Sequence, residues 1–266
     1  MYALLGFGLL AGLPYVGGLP PVVDALVATF LFLLVSLLLI QECARFPIRP
    51  LPDALGLVAC LALWYAGDLL MEQHSAVRLL LRALSSMLFL LACVYFGRLL
   101  ALIVRERNIL FPVAIMAGLA DFFTVFFGPT GHALHHAPKL VEKLSVAIPK
   151  AGSAAGPQGA AGATHVATAG LGDFIFITFF LVGAYRFGLR QKPTFWAIFA
   201  LVALGMGTVL SLPRMPAAPL LPFVALGFLL ANLGAFKFSR TEKLYIGIVT
   251  LVIVGALVAL ALLRRR

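Results

Sequence analysis

Long runs of apolar residues recur along almost the whole chain, and they limit what it can fold into. A helix needs about 20 mostly apolar residues to cross a bilayer, where lipid offers the backbone no hydrogen-bond partners. With 62% hydrophobic and 11% charged residues among 266, the chain carries more apolar surface than a soluble domain can bury. We therefore expect an all-α, polytopic membrane protein, a bundle of eight or nine transmembrane helices.

The first of nine candidate spans is the least regular. Gly12, Pro14, Gly17 and Gly18 interrupt it, so it is either a span or a re-entrant or interfacial piece. The nine segments are Tyr2–Leu19, Val22–Ile40, Ala54–Leu70, Ala83–Val104, Ile109–Phe127, Val166–Tyr185, Phe195–Leu212, Leu220–Phe236 and Leu244–Leu263.

One long connection divides the chain into two blocks. Its second half, AGSAAGPQGAAGATH, has almost no large side chains and reads as a flexible linker. The predicted organisation is an N-terminal helix block at 1–128, a flexible loop at 129–165, and a C-terminal helix block at 166–266.

Lys and Arg cluster in the connections and give a formal net charge of +10, which suits anionic lipid headgroups. We expect the lipid bilayer, and no nucleic acid, as the partner of these charges. No basic residue precedes the first apolar run, so we expect no cleaved signal peptide. The Leu-, Ala- and Arg-rich composition favours a prokaryotic cell membrane. Nothing in the sequence sets the oligomeric state.

Two acidic residues lie inside apolar runs, whereas most of the others lie in connections or at helix ends. Asp121 stands in LADFFTVFF and Asp173 in GLGDFIFITFF. An acidic side chain there costs about 2.5 to 3.5 kcal/mol on insertion scales, which usually marks a functional residue.

The two aspartates are predicted to lie at the same depth. Residues 122–127 separate Asp121 from the long connection, and residues 166–172 separate Asp173 from it. At about 1.5 Å per helical residue, both carboxyls lie roughly 9 to 11 Å below the same membrane face. Because consecutive spans are antiparallel, side-by-side packing would bring the carboxyls level.

Two carboxyls in one dry site do not both ionise easily, so one keeps its proton. The ionised member can activate a water, and the protonated member can polarise a peptide carbonyl and protonate the leaving nitrogen. The alternative is a proton- or cation-coupled transporter, because paired membrane carboxylates also bind protons and ions.

The segment Gly170-Leu171-Gly172-Asp173 resembles the GxGD helix of the presenilin and signal peptide peptidase family. Asp121, with its continuation DFFTVFFGPTG, is similar to the family's other catalytic helix. The resemblance implies an intramembrane aspartyl endopeptidase that needs no cofactor and cleaves transmembrane segments of other membrane proteins. Prepilin peptidases carry a similar aspartate, but a basic residue usually follows it soon after, whereas Phe174 follows here.

The family also has a Pro-Ala-Leu motif at the start of a later helix, beside the two aspartates. Pro216 and Ala217 match its first two positions, Ala218 replaces its Leu, and Pro219-Leu220 offers a second register. The residues that the resemblance assigns to substrate binding are Gly170, Leu171, Gly172, Pro216, Ala217, Ala218, Pro219 and Leu220.

Three histidines form HALHH after the first aspartate helix. Imidazoles are common zinc ligands, but no Cys or acidic residue lies close in sequence, and the spacing is not a strong metal signature. We interpret His132, His135 and His136 as loop-surface residues and expect no metal site.

Overall fold

Helices form in the long apolar runs, since a helix satisfies its own backbone hydrogen bonds without water. The computed structural model describes residues 2–12, 21–73, 78–126, 145–149, 165–211, 219–242, and positions 244, 247, 248, 250, 251 and 255. Its elements are α1 (Tyr2–Gly12), α2 (Pro21–Arg45), α3 (Pro50–Gln73), α4 (Arg78–Ile103), α5 (Leu110–Phe126), β1 (Ser145–Pro149), β2 (His165–Gly170), α6 (Leu171–Arg186), α7 (Gln191–Ser211) and α8 (Leu221–Ala231). A short 3-10 turn, Arg107–Ile109, precedes α5.

Four helical segments are long and apolar enough to cross a membrane, so the protein is a helical membrane protein. This count covers the described residues alone. The segments are Leu26–Arg45, Pro50–Leu69, Ala83–Ile103 and Arg107–Val125.

The first and last predicted spans lie partly outside the described residues. Of Tyr2–Leu19, the structure describes the helix Tyr2–Gly12. Of Leu244–Leu263, the described positions Leu244, Ile248 and Leu251 are helical.

The predicted helix Val166–Tyr185 is wrong over its first five residues. Residues 165–170 form β2, which pairs antiparallel with β1, with Val146 opposite Ala169 and Ser145 opposite Gly170. Strand β1 lies inside the connection that was predicted to be a flexible loop throughout. β-branched residues favour extended backbone, and pairing with a partner strand supplies the hydrogen bonds that a helix would otherwise provide.

Helix α6 lies at the centre of the bundle. Every residue from 177 to 184 is buried, and α6 packs against α2, α4, α7 and α8. Phe174 packs edge-to-face on Phe32 of α2, and Phe180 stacks on Phe228 of α8 at 4.7 Å between ring centroids. By contrast, α3 exposes Leu51, Leu55 and Val58 and packs mainly on α4.

A buried ion pair joins α3 to α4, and the sequence did not predict it. Arg98 and Asp53 are both 5% exposed, and Nη2 of Arg98 lies 3.2 Å from Oδ2 of Asp53. The guanidinium also donates to the carbonyls of Cys43, Phe46 and Pro47, so this side chain joins α4 to the end of α2 and to the α2–α3 connection.

Candidate functional site

Asp121 lies on α5 against the first turn of α8. It is half-buried, and its Oδ2 accepts a hydrogen bond from the backbone N–H of Leu221 at 3.2 Å. The first N–H groups of a helix have no partner within the helix and carry partial positive charge. The start of α8 therefore supplies a donor to this carboxyl.

Gly118, one turn before Asp121, allows the two helices to approach. A Cβ at this position would lie 3.3 Å from Cα of Pro222 and 3.4 Å from Cβ of Ala225. At the other end of α5, Nδ2 of Asn108 donates to the carbonyl of Lys237 at 2.8 Å. These contacts fix α5 and the α8 segment in antiparallel register.

Asp173 occupies the first turn of α6. Its Oδ2 accepts a hydrogen bond from the backbone N–H of Gly170, three residues earlier, at 3.1 Å. A Cβ on Gly170 would lie only 3.3 Å from that oxygen, whereas one on Gly172 would meet no atom of the described chain within 4 Å. The first glycine therefore gives room to the carboxyl, and the second leaves backbone accessible beside it.

The two carboxyls lie level along their helices. Leu110 of α5 contacts Gly183 of α6, since a Cβ on the glycine would lie 3.0 Å from Cδ1 of the leucine. Asp121 follows Leu110 by eleven residues and Asp173 precedes Gly183 by ten, which corresponds to about 16 and 15 Å along antiparallel helices.

The residues that precede Asp173 differ in conformation from the prediction. Only Leu171 and Gly172 precede Asp173 in the helix, and β2 leads into them. A strand rises about 3.3 Å per residue against about 1.5 Å in a helix, so a depth estimated with helical residues 166–172 is wrong. The predicted side-by-side packing of the two aspartate helices is also wrong, because α5 packs mainly on α8, α6 mainly on α4, and α5 touches α6 only weakly.

The Pro-rich stretch before α8 is described only in part. Pro216, Ala217 and Ala218 lie outside the described residues, whereas Pro219 and Leu220 are buried where α8 begins. Leu221, which follows this stretch, donates its backbone N–H to Asp121. Leu221 itself was not predicted, although a helix start after a proline cluster is a signal for free N–H donors.

Each of the two carboxyls accepts a hydrogen bond at one of its oxygens. Both use Oδ2 to accept a backbone N–H near the start of a helix. Among the described residues, neither Oδ1 accepts a hydrogen bond. Leu171, beside Asp173, is 37% exposed.

His132, His135 and His136 lie outside the described residues. Among the residues that are described, no group of three or more His, Cys, Asp or Glu side chains is placed to hold a metal ion.

No family model, curated protein or solved structure matches this chain.

Proposed function

We propose that the chain is an intramembrane aspartyl endopeptidase in which Asp121 and Asp173 hydrolyse peptide bonds within transmembrane segments of other membrane proteins. The observation that carries the proposal is the level placement of two carboxyls on apolar helices, each held by one backbone N–H. The proposal includes a bundle of eight or nine spans, similar to the presenilin and signal peptide peptidase family, in a prokaryotic cell membrane.

One proton shared by the pair divides the work of hydrolysis. The ionised carboxylate removes a proton from a water that attacks the scissile carbonyl, and the protonated partner donates a hydrogen bond to the carbonyl oxygen. The tetrahedral intermediate then breaks at the C–N bond, and a carboxyl delivers a proton to the leaving nitrogen. The pair ends with the proton count with which it began, so no cofactor is required.

A substrate backbone must reach the carboxyls in an extended form, because a helix hides its peptide bonds. Gly170 and Gly172 remove side chains beside Asp173, and β2 leads directly into this helix. Extended peptides are often bound by adding a strand to an existing sheet. We propose that Leu171 and the stretch Pro216–Leu220 line the same substrate path.

The test uses purified protein in liposomes with a transmembrane-helix substrate. Wild type is expected to cut the substrate, and Asp121→Asn and Asp173→Asn are expected to lower the rate by about 10³-fold or more, since each removes a proton-transfer group without changing size. Glu106→Gln is the matched control, because Glu106 is exposed in the α4–α5 connection.

Ion flux is followed in the same liposomes. If wild type cuts no substrate, and ion movement depends on the same two aspartates, the chain is a coupled transporter and the protease proposal fails.

A further inference from the structure

Helix α4 touches the backbone of α6 directly at Gly97. A Cβ at this position would lie 2.6 Å from the carbonyl oxygen of Ile175 and 2.7 Å from Cβ of Thr178. Real Cβ atoms do not approach other heavy atoms this closely. Any residue larger than glycine at position 97 therefore requires one of the two helices to move.

Neither contact atom on α6 can be moved by rotating a side chain. The Ile175 oxygen is part of the helix backbone, and the Cβ of Thr178 moves only with that backbone. The Thr178 hydroxyl donates to the carbonyl of Phe174 at 2.8 Å, which also fixes its rotamer. Both residues belong to the fully packed part of α6, where Ile175 is 7% and Thr178 0% exposed.

The contact between Gly97 and α6 lies close in sequence to Asp173. Ile175 and Thr178 follow Asp173 by two and five residues, within one and a half turns of helix. One turn before Gly97 on α4, Cys93 is 1% exposed. The same face of α4 therefore lies along the turn that carries Asp173.

Asp121, by contrast, is held from the other side of the site. Its helix packs mainly on α8, through Gly118 and the Leu221 hydrogen bond, and has little contact with α4. A displacement of α6 by α4 thus moves Asp173 directly, whereas it reaches Asp121 only through the contacts of α6 with α8 and with Leu110. The distance between the two carboxyls depends on how closely α4 approaches.

We infer that Gly97 is a positioning residue for Asp173: its missing side chain sets how closely α6 lies to α4, and therefore where the Asp173 carboxyl lies relative to Asp121. This inference rests on the proposed function. Proximity effects are steep, and a misplacement of about 1 Å costs on the order of 10²-fold in rate.

The experiment compares Gly97→Ala with wild type on a transmembrane substrate, with kcat and KM measured separately. The expected result is a fall in kcat of about 10- to 100-fold with KM within about twofold, because the substrate path is intact while the carboxyls are misplaced. Gly67→Ala is the matched control, since a Cβ on Gly67 in α3 would meet no described atom within 4 Å.

A folding defect is separated by a second variant. Cys93→Leu overpacks the same face of α4 one turn away and is expected to lower kcat in the same manner. If wild type cleaves the substrate and folded Gly97→Ala has the same kcat, the inference is overturned and the proposed function is not. Where Gly97→Ala does not fold, an unchanged kcat in Cys93→Leu has the same meaning. Absence of cleavage by wild type would instead count against the proposed function.

Discussion

The backbone N–H of Leu221 donates a hydrogen bond to Oδ2 of Asp121 at 3.2 Å, across 100 residues of sequence. The start of α8 thereby holds one of the two carboxyls that the apolar helices carry into the membrane. The next residue, Pro222, has no N–H, so Leu221 supplies the donor at this turn. The position of α8 against α5 should therefore control how Asp121 is oriented.

We expect substitutions at Gly118 to test that control. A Cβ there lies 3.3 Å from Cα of Pro222, so alanine requires a shift of only a few tenths of an ångström. Gly118→Ala should lower kcat/KM by about threefold or less, whereas Gly118→Val should lower it by about tenfold or more, since its branches have no room. The measurement is substrate cleavage by purified variants.

The control is Gly8→Val in α1, where a Cβ would meet no atom of the described chain within 4 Å. If Gly118→Val cleaves the substrate with the same kcat/KM as wild type, the approach of α8 does not orient Asp121.

The buried pair of Arg98 and Asp53 predicts a strongly non-additive effect on stability. Arg98→Met leaves the Asp53 carboxylate buried without its partner and should cost about 3–5 kcal/mol. The double variant with Asp53→Leu removes both charges and should cost clearly less than the two single changes together. Unfolding of the purified variants gives the free energies.

Arg107→Met provides the comparison, because Arg107 is exposed and should change stability by no more than about 0.5 kcal/mol. Additive costs in the Arg98 and Asp53 cycle would show that the ion pair does not couple α3 to α4.

Two buried threonines should respond oppositely to the same change. Thr29 is 0% exposed and its hydroxyl has no partner among the described residues, so Thr29→Val should be neutral or slightly stabilising. The hydroxyl of Thr194, also 0% exposed, donates to Arg190 O at 2.6 Å and accepts from Nδ2 of Asn232 at 2.8 Å.

Thr194→Val should therefore destabilise the protein by about 1–3 kcal/mol, because it leaves the buried Asn232 amide with an unpaired N–H. Thermal unfolding of both variants is the measurement. Equal losses of stability would contradict the hydrogen-bond assignments of these two residues.

Much of the helical architecture could be predicted from the sequence because length and apolarity decide it. The run containing Asp121 and the segment containing Asp173 both form helices. The cost of an acid in lipid is what drew attention to these two residues. Their functional role remains a prediction.

Strand β2 could not be predicted, because Val166–Gly170 is a short apolar run whose periodicity does not distinguish helix from strand. Its conformation depends on pairing with residues 145–149, which lie about twenty positions earlier. Likewise, Asp53 looked like a helix-end carboxylate, and only the packing of α3 on α4 brings Arg98 to it.

The Leu221 hydrogen bond was beyond prediction for a related reason. It joins a side chain to a backbone N–H whose position depends on how α8 packs against α5. Side-chain chemistry in the sequence marks Asp121, but it does not mark the amide that contacts it.

The most direct test of the paired carboxyls is the binding of a peptide that carries a hydroxyl group in place of the scissile carbonyl. Both carboxyls would hold this mimic of the tetrahedral intermediate, so wild type should bind it at least about 10²-fold more tightly than either Asp121→Asn or Asp173→Asn does. The same peptide without the hydroxyl should bind all three proteins alike. Equal affinity of the hydroxyl peptide for wild type and both variants would contradict a dyad of Asp121 and Asp173.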